Sequence, residues 1–392
     1  MAALSLEIVT QAADISAADW QACAGEANPT VSHRFFVAME DSGSATAKTG
    51  WKPQHIVART ADGGIAGILP AYLKSHSNGE YVFDYSWADA FERAGGDYYP
   101  KLQTCVPFTP VPGPRLLLAQ TEAGRNAGPL LLAAAANAVE NSGISSAHAT
   151  FIAPEQVGVF EDAGWLLRTD QQFHWQNRGY RDFQDFLDQL ASRKRKAIRK
   201  ERAEAVASGI EIRSLSGEEL RPEHWDAIWR FYQNTGARKW GRPYLTRNAF
   251  TRLAETMADE TLLILAFRDG EPIAGALNLI GRDTLYGRYW GATEHHPFLH
   301  FEVCYYRAID WAISNGLARV EAGAQGEHKL ARGYEPTPTY SAHWISHPAL
   351  RRAVADFLER ERRSVAAGID YLGQFTPYRR GPLGGGNEAD HD

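Results

Sequence analysis

The chain repeats itself at long range, and this limits its fold more than any other feature. Ile56-Val57-Ala58-Arg59 leads through Thr60-Ala61-Asp62-Gly63-Gly64 into Ile65-Ala66-Gly67-Ile68-Leu69. Roughly 200 residues on, Ile264-Leu265-Ala266-Phe267 leads through Arg268-Asp269-Gly270-Glu271-Pro272 into Ile273-Ala274-Gly275-Ala276-Leu277. Each stretch reads as strand, Asp-Gly turn, strand, because Asp-Gly reaches positive φ cheaply. The shared Ile-Ala-Gly sets a small residue mid-strand, where a neighbour can approach closely. A helical stretch, Ala133 to Val139, then runs to Gly143 and a strand at Ala149 to Ile152. Its counterpart, Cys304 to Ala312, runs to Gly316 and a strand at Ala318 to Glu321. Both glycines suit a left-handed helix stop. One hairpin could recur by chance, but four elements in the same order point to a unit used twice.

The 392 residues accommodate two domains. An apolar content of 44% and a charged content of 22% describe an ordinary globular chain. A net charge of -6 argues against general nucleic-acid coating but leaves room for a local basic patch. Cys23, Cys105 and Cys304 are far apart, which argues against a disulfide framework or a cysteine zinc site. Met1 to Thr10 lacks the pattern of a secretory leader, and the Ala-rich stretch Gly128 to Val139 is too short to span a bilayer. A cytoplasmic protein is expected.

Between the halves, Phe183 to Gly209 has helical apolar spacing and carries Arg193, Lys194, Arg195, Lys196, Arg199, Lys200 and Arg202. The expected division is a first α/β domain at 1–178, a basic connecting helix and strand at 179–212, and a second domain at 213–346. A helix at 347–378 and a disordered Gly-rich, acidic tail at 379–392 complete it.

Several stretches carry a family resemblance. They include Tyr72-Leu73-Lys74-Ser75-His76, Tyr99-Pro100-Lys101, Val106-Pro107-Phe108-Thr109-Pro110-Val111 and Gly236-Ala237-Arg238-Lys239-Trp240-Gly241. Leu285-Tyr286-Gly287-Arg288-Tyr289-Trp290-Gly291 and Gly323-Ala324-Gln325-Gly326-Glu327-His328-Lys329 are two more. Together they resemble a bacterial family of N-acyltransferases of the GNAT superfamily, FemAB-like and labelled peptidoglycan biosynthesis or recognition. The resemblance spans about Trp51 to Phe357. It implies two tandem GNAT-like domains, each an α/β unit on a mixed sheet, joined by a basic helix. It also implies transfer of an acyl or aminoacyl group from acyl-CoA or aminoacyl-tRNA to an amine, in cell-envelope biosynthesis. The alternative is a non-catalytic protein that binds peptidoglycan precursor through a degenerate donor site. One departure bears on the donor. Gly291 to His300 stands where an acetyltransferase has its Gly-rich phosphate loop, and it has no such pattern. This fits aminoacyl-tRNA better than acetyl-CoA. The connection Ser86 to Gln120 exceeds a minimal domain; it is aromatic and Pro-rich, as a substrate lip would be.

Acyl transfer to an amine needs a proton acceptor, a stabiliser for the oxyanion, and both substrates held in register. Glu327 and Glu321 are candidate bases, His328 a base or orienting group, and Tyr289 a further catalytic candidate. Lys329 and Arg332 are candidates for binding an anionic donor or the oxyanion. On strict strand alternation Tyr286, Arg288 and Trp290 share one face and Tyr289 takes the other. Arg288 and Trp290 therefore become donor-binding candidates, joined by His300 and Glu302, although Glu302 near a helix start also suits the dipole. Arg238, Lys239 and Trp240 offer a cation and a stacking surface. Arg193, Lys194, Lys196 and Arg199 form a polyanion-binding candidate, for tRNA or an anionic membrane surface, against the plainer reading of a solvated face. His55, His76 and His174 are expected to be packing residues, and no metal is expected.

Overall fold

The computed structural model describes residues 4–240, 243–323 and 326–379, with backbone only at 237–240. The side chains of Arg238, Lys239 and Trp240, and the tail expected to be disordered, from 380 on, lie outside the described residues; Arg379, the first residue of that expected tail, is instead held by a backbone hydrogen bond to the Gln189 carbonyl. The first half runs β1 (Leu4–Val9), α1 (Ala17–Ala24), α2 (His33–Asp41), β2 (Trp51–Pro53), β3 (His55–Thr60), β4 (Ile65–Leu69) and β5 (Ala71–Lys74). It continues through α3 (Tyr85–Arg93), β6 (Lys101–Thr104), β7 (Leu117–Leu118), α4 (Glu122–Asn141), β8 (Ser146–Ile152), α5 (Val157–Asp162) and β9 (Leu166–Gln176). Helices α6 (Phe183–Asp188) and α7 (Ser192–Ala205) follow. The second half then runs β10 (Glu211–Ser216), α8 (Pro222–Trp240), α9 (Arg247–Thr256), β11 (Thr261–Arg268), β12 (Glu271–Ile280) and β13 (Thr284–Ala292). Helix α10 (Leu299–Phe301) passes through a π turn (Glu302–Tyr306) into α11 (Arg307–Ser314), before β14 (Arg319–Glu321), β15 (Glu335–Ile345) and α12 (Pro348–Gly373).

The repeated hairpins are β3–β4 and β11–β12, both antiparallel. In each, a Cβ on the mid-strand glycine would press into packed side chains: Leu118 and Ala127 at Gly67, Leu265 and Ile228 at Gly275. The close neighbours there are apolar side chains of the core. Gly143 and Gly316 stop their helices at φ 67° and 69°. Each half also has one parallel strand pair, β6 with β8 and β13 with β14.

The two copies do not close separate sheets. One mixed sheet of eleven strands runs β10-β11-β12-β13-β14-β9-β15-β8-β6-β5-β2, and a second sheet of four runs β1-β3-β4-β7. The crossing is made at β9, the last strand of the first half. It lies between β14 and β15 of the second, and β15 in turn pairs with β8 of the first. An undivided sheet alone would describe one unit; the repeated order of elements along it keeps the two copies distinct. One apolar core joins the halves, with Trp20, Phe36 and Trp51 in the same cluster as Ile228, Phe231 and Leu277. The other face of the second-half sheet is covered by α6, α7 and α11, and there Trp175 of β9 is fully buried against Phe186.

Trp175 comes from the first half and completes the core of the second. Trp175→Ala is expected to cost about 3–5 kcal/mol. Calorimetry should show both halves melting in one shifted transition; two separate transitions would mean that the halves fold independently.

Candidate functional site

Strands β13 and β14 pair at only three positions, ending at Tyr286↔Glu321. Beyond them the strands part, and a gap of about 90 Å³ opens between Gly287, Arg288, Trp290, His300, Tyr305 and Gly323. A β-bulge on β13 shapes it. The register against β12 shifts between Leu277 and Asn278, leaving Arg288 as the extra residue. This corrects the strict alternation read from sequence. Tyr286 and Tyr289 fall on the face toward the joint core, while Trp290 falls with Leu285 on the opposite face.

Arg288 turns toward the first half and donates to the Phe108 carbonyl at 2.6 Å; the Tyr289 hydroxyl donates to the same carbonyl at 3.4 Å. The Pro-rich connection of the first half thus meets the second half at two residues that line the gap. Tyr289 packs on Tyr232 at 5.0 Å, and burial pushes its hydroxyl above the ordinary tyrosine range. On the other side Trp290 packs against His300 at 5.0 Å, and His300 against Tyr305 at 5.4 Å. The Tyr305 hydroxyl hydrogen-bonds His328 Nε2 at 2.9 Å.

Glu321 ends β14 where the strands part. It is 3% exposed; burial pushes its carboxyl up to about 7, against the pull of Arg319. Oε1 lies 3.2 Å from Arg319 Nε and 3.9 Å from His174 Nδ1, whereas Oε2 has no hydrogen-bond partner. A carboxyl with one unoccupied oxygen and a value near neutrality can take a proton at physiological pH. His174 is buried and driven down to about 3 by desolvation, so it stays neutral beside the carboxyl.

Other candidates lie elsewhere. Neither Glu327, exposed on the turn after Gly326, nor Glu321 is among the residues lining the gap; Glu321 is buried at the end of the strand that bounds it, one residue before Ala322 of its wall, and the case for a base passes to it. His328 is exposed too; it meets the gap wall through Tyr305 and His300, its ring 5.6 Å and 6.2 Å from theirs. Lys329 is 1% exposed behind the gap wall, donating to the Gly323 carbonyl at 2.9 Å, and burial brings its ammonium down to about 8. Arg332 pairs with Glu201 at 2.9 Å and stacks over Phe301. Glu302 is buried between Arg202 and Arg307, each at 3.0 Å, so its partners are structural. On α7, Arg193 and Lys196 are exposed, Lys194 is half-buried, and Arg199 donates to Gln184 at 2.9 Å.

The matching opening in the first half is filled by the chain itself. Beyond the β6–β8 pairs, Gly113 forms a parallel bridge to Ile152, and buried Arg115 donates to the carbonyls of Thr150 and Val111 at 2.7 Å. Nearby, Lys101 is held by Glu80 at 2.7 Å and by Asp84, with Lys74 3.3 Å from Glu80, all of them buried. His55 meets Glu40 at 3.0 Å, and His76 the Thr49 carbonyl at 2.9 Å. Among the described residues no group of three or more His, Cys, Asp or Glu could hold a metal, and no helix is long and apolar enough to cross a membrane.

Sequence reasoning missed Tyr305, Asn278 and Phe108. Tyr305 and Asn278 sat inside stretches legible as core, and Phe108 meets Arg288 across 180 residues, where no local pattern reaches.

Two tandem GNAT-like units sharing a mixed sheet, with one parallel pair left open, define the class. The chain belongs to the FemAB-like family, described as peptidoglycan biosynthesis/recognition, whose model matches residues 11–380. The fold is similar to that of FemX, with a TM-score of 0.54 at 10% identity over 90% of this chain and 100% of that one. It is also similar to the C-terminal domain of a putative lysylphosphatidylglycerol synthetase from Agrobacterium fabrum, with a TM-score of 0.52 at 10% identity over 87% and 94%. The L-PGS structure from Bacillus licheniformis gives 0.50 at 10% identity over 90% and 98%. No curated protein matches the sequence.

Because Glu321 is raised from 4.5 to about 7, the folded chain keeps a proton there that the unfolded chain releases. Its contribution to stability therefore falls as pH rises through that window. Glu321→Gln should stabilise the protein at pH 8 by at most about 3 kcal/mol, and by almost nothing near pH 4. Urea unfolding at the two pH values checks this.

Proposed function

We propose that the chain transfers an acyl or aminoacyl group from an activated donor to an amine at the gap between β13 and β14, with Glu321 taking the ammonium proton. The observation that carries this reading is the buried, half-satisfied Glu321 carboxyl at the point where two parallel strands part. As the amine adds to the donor carbonyl, Glu321 removes its proton, and the tetrahedral intermediate collapses with loss of the thiol or ribose hydroxyl. Backbone N–H groups on the separated strand edges and the Arg288 guanidinium are the groups on hand for the oxyanion. Trp290 and His300 would flank the donor. They also border a hollow of about 660 Å³ at the head of α10. That hollow contains Glu294, paired with Arg268 and His296 at 2.8 Å, and no Gly-rich loop. A negative side chain there suits an aminoacyl ester better than the pyrophosphate of acyl-CoA.

The acceptor would approach from the first half, along a groove of about 1090 Å³ whose walls include Trp51, Tyr81, Phe108 and Tyr244. Tyr81 and Phe108 hold φ near 60°, a backbone state that non-glycine residues adopt at some cost and that concentrates at functional sites. With the family description, this supports a peptidoglycan-precursor amine as acceptor and a cytoplasmic reaction. Binding without turnover is the second reading; it is favoured only by the loop at 291–300.

The purified protein would be incubated with acyl-CoA panels or charged tRNA pools and amine acceptors, with amide products read by mass spectrometry. Glu321→Gln should lower kcat at least ~100-fold with little change in KM. The wild-type rate should rise with pH through about 7, and Glu327→Gln should stay near wild type. A Glu321→Gln enzyme of full activity would move the base elsewhere. Acceptor binding without any product would favour the second reading.

A further inference from the structure

Helix α7 has two faces with different work. Ile198 and Ala205 are buried; on the same side Arg202 pairs with Glu302, and Glu201 with Arg332. These contacts fix the helix against the π turn and the segment after β14. The opposite face carries Arg193, Lys196 and Lys200 at i, i+3 and i+7, in one row. All three are exposed, and none has an ion pair among the described residues.

This row begins beside a second unusual feature. The segment after α12 pairs with the segment before α7: Ala191 donates to the Pro377 carbonyl, Leu190 bridges to Tyr378, and Arg379 donates to the Gln189 carbonyl. That pairing brings the end of α12 to the start of the basic row. There Tyr371 and Phe375 are 60% and 53% exposed, with ring centroids 4.9 Å apart. Arg379, four residues beyond Phe375, is exposed as well. Few large apolar side chains are so exposed among the described residues.

We propose that the outer face of α7 and the end of α12 form a docking surface for an anionic lipid bilayer. Charge complementarity selects the partner: the chain as a whole carries -6, so this cationic row is a local exception that orients the molecule on a negative surface. Cations standing beside two aromatic rings match the two requirements of the headgroup layer: anion pairing, and partial insertion of amphipathic rings. Two exposed, mutually packed rings at the end of the row suit the headgroup layer and are not required by a tRNA backbone, which favours a bilayer over RNA. Because the inner face of α7 is tied to the helix that borders the gap, docking would hold the gap close to the headgroups. The surface stands on its own evidence, and its test needs no catalytic activity.

The test is co-sedimentation of the full chain with vesicles of phosphatidylcholine alone and of phosphatidylcholine with 30% phosphatidylglycerol, at 50 and 500 mM NaCl. The expected result is binding to the anionic vesicles only, lost at high salt. Arg193→Gln/Lys196→Gln/Lys200→Gln should weaken it at least tenfold with an unchanged melting temperature. Tyr371→Ser/Phe375→Ser should weaken it at 50 mM salt as well, which charge alone would not explain. Equal binding to neutral vesicles, or undiminished binding by the triple variant, would overturn the proposal. Loss of tRNA binding by the triple variant with vesicle binding undiminished would also overturn it, and would assign the row to RNA.

Discussion

The position of β9 between β14 and β15 fixes everything else about this molecule. A strand given by one half to the sheet of the other bonds along both of its edges, so the halves cannot hinge about it without breaking backbone hydrogen bonds in a buried setting. That rigidity lets a carbonyl of the first half, at Phe108, serve an arginine of the second. It also sets His174, from β9, beside Glu321 on β14.

The same unit, used twice, has met two fates. Parallel strands that begin paired and then part leave polar backbone edges that must find partners. In the first half the chain supplies them, with Gly113 bridging to Ile152 and Arg115 capping several carbonyls at once. In the second half the strands stay apart and the chain does not fill the space between Gly287, Arg288 and Gly323. The Pro-rich connection links the two outcomes: it closes the first opening and, at Phe108, anchors Arg288 and Tyr289 beside the second. The buried ionic group of Lys74, Lys101, Glu80 and Asp84 lies close to that connection. Burying such charges is costly unless they satisfy one another, and burial alone would discharge Lys101, but the two carboxylates keep it charged.

Much of this was legible in the order of residues. The Asp-Gly turns, the mid-strand glycines and the glycines ending α4 and α11 are local signals, and they gave the repeat. The family resemblance gave the tandem arrangement. The exchange of β9 and β15 was not legible, because strand pairing between halves depends on contacts more than a hundred residues apart. The bulge at Arg288 was hidden for a different reason: a single extra residue leaves no mark on composition yet reverses which side chains share a face. Glu327 and Glu321 were indistinguishable as candidate bases, since both are glutamates in one Gly-rich stretch. Burial separates them, one at the end of a central strand and the other on an outer turn. The basic run of α7 read as a uniform charge cluster, whereas its periodicity divides it into a structural side and a free side.

The crossing of β15 onto β8 also has a consequence for biosynthesis. As the chain leaves the ribosome, the first half is complete in sequence but not in structure. Strands β8 and β9 then wait with bare edges while α7 through β14 are still being made, and open edges of this kind invite pairing with other chains. The sheet is complete only once β15, the last strand among the described residues, has been made, so the edges of the first half stay exposed until then.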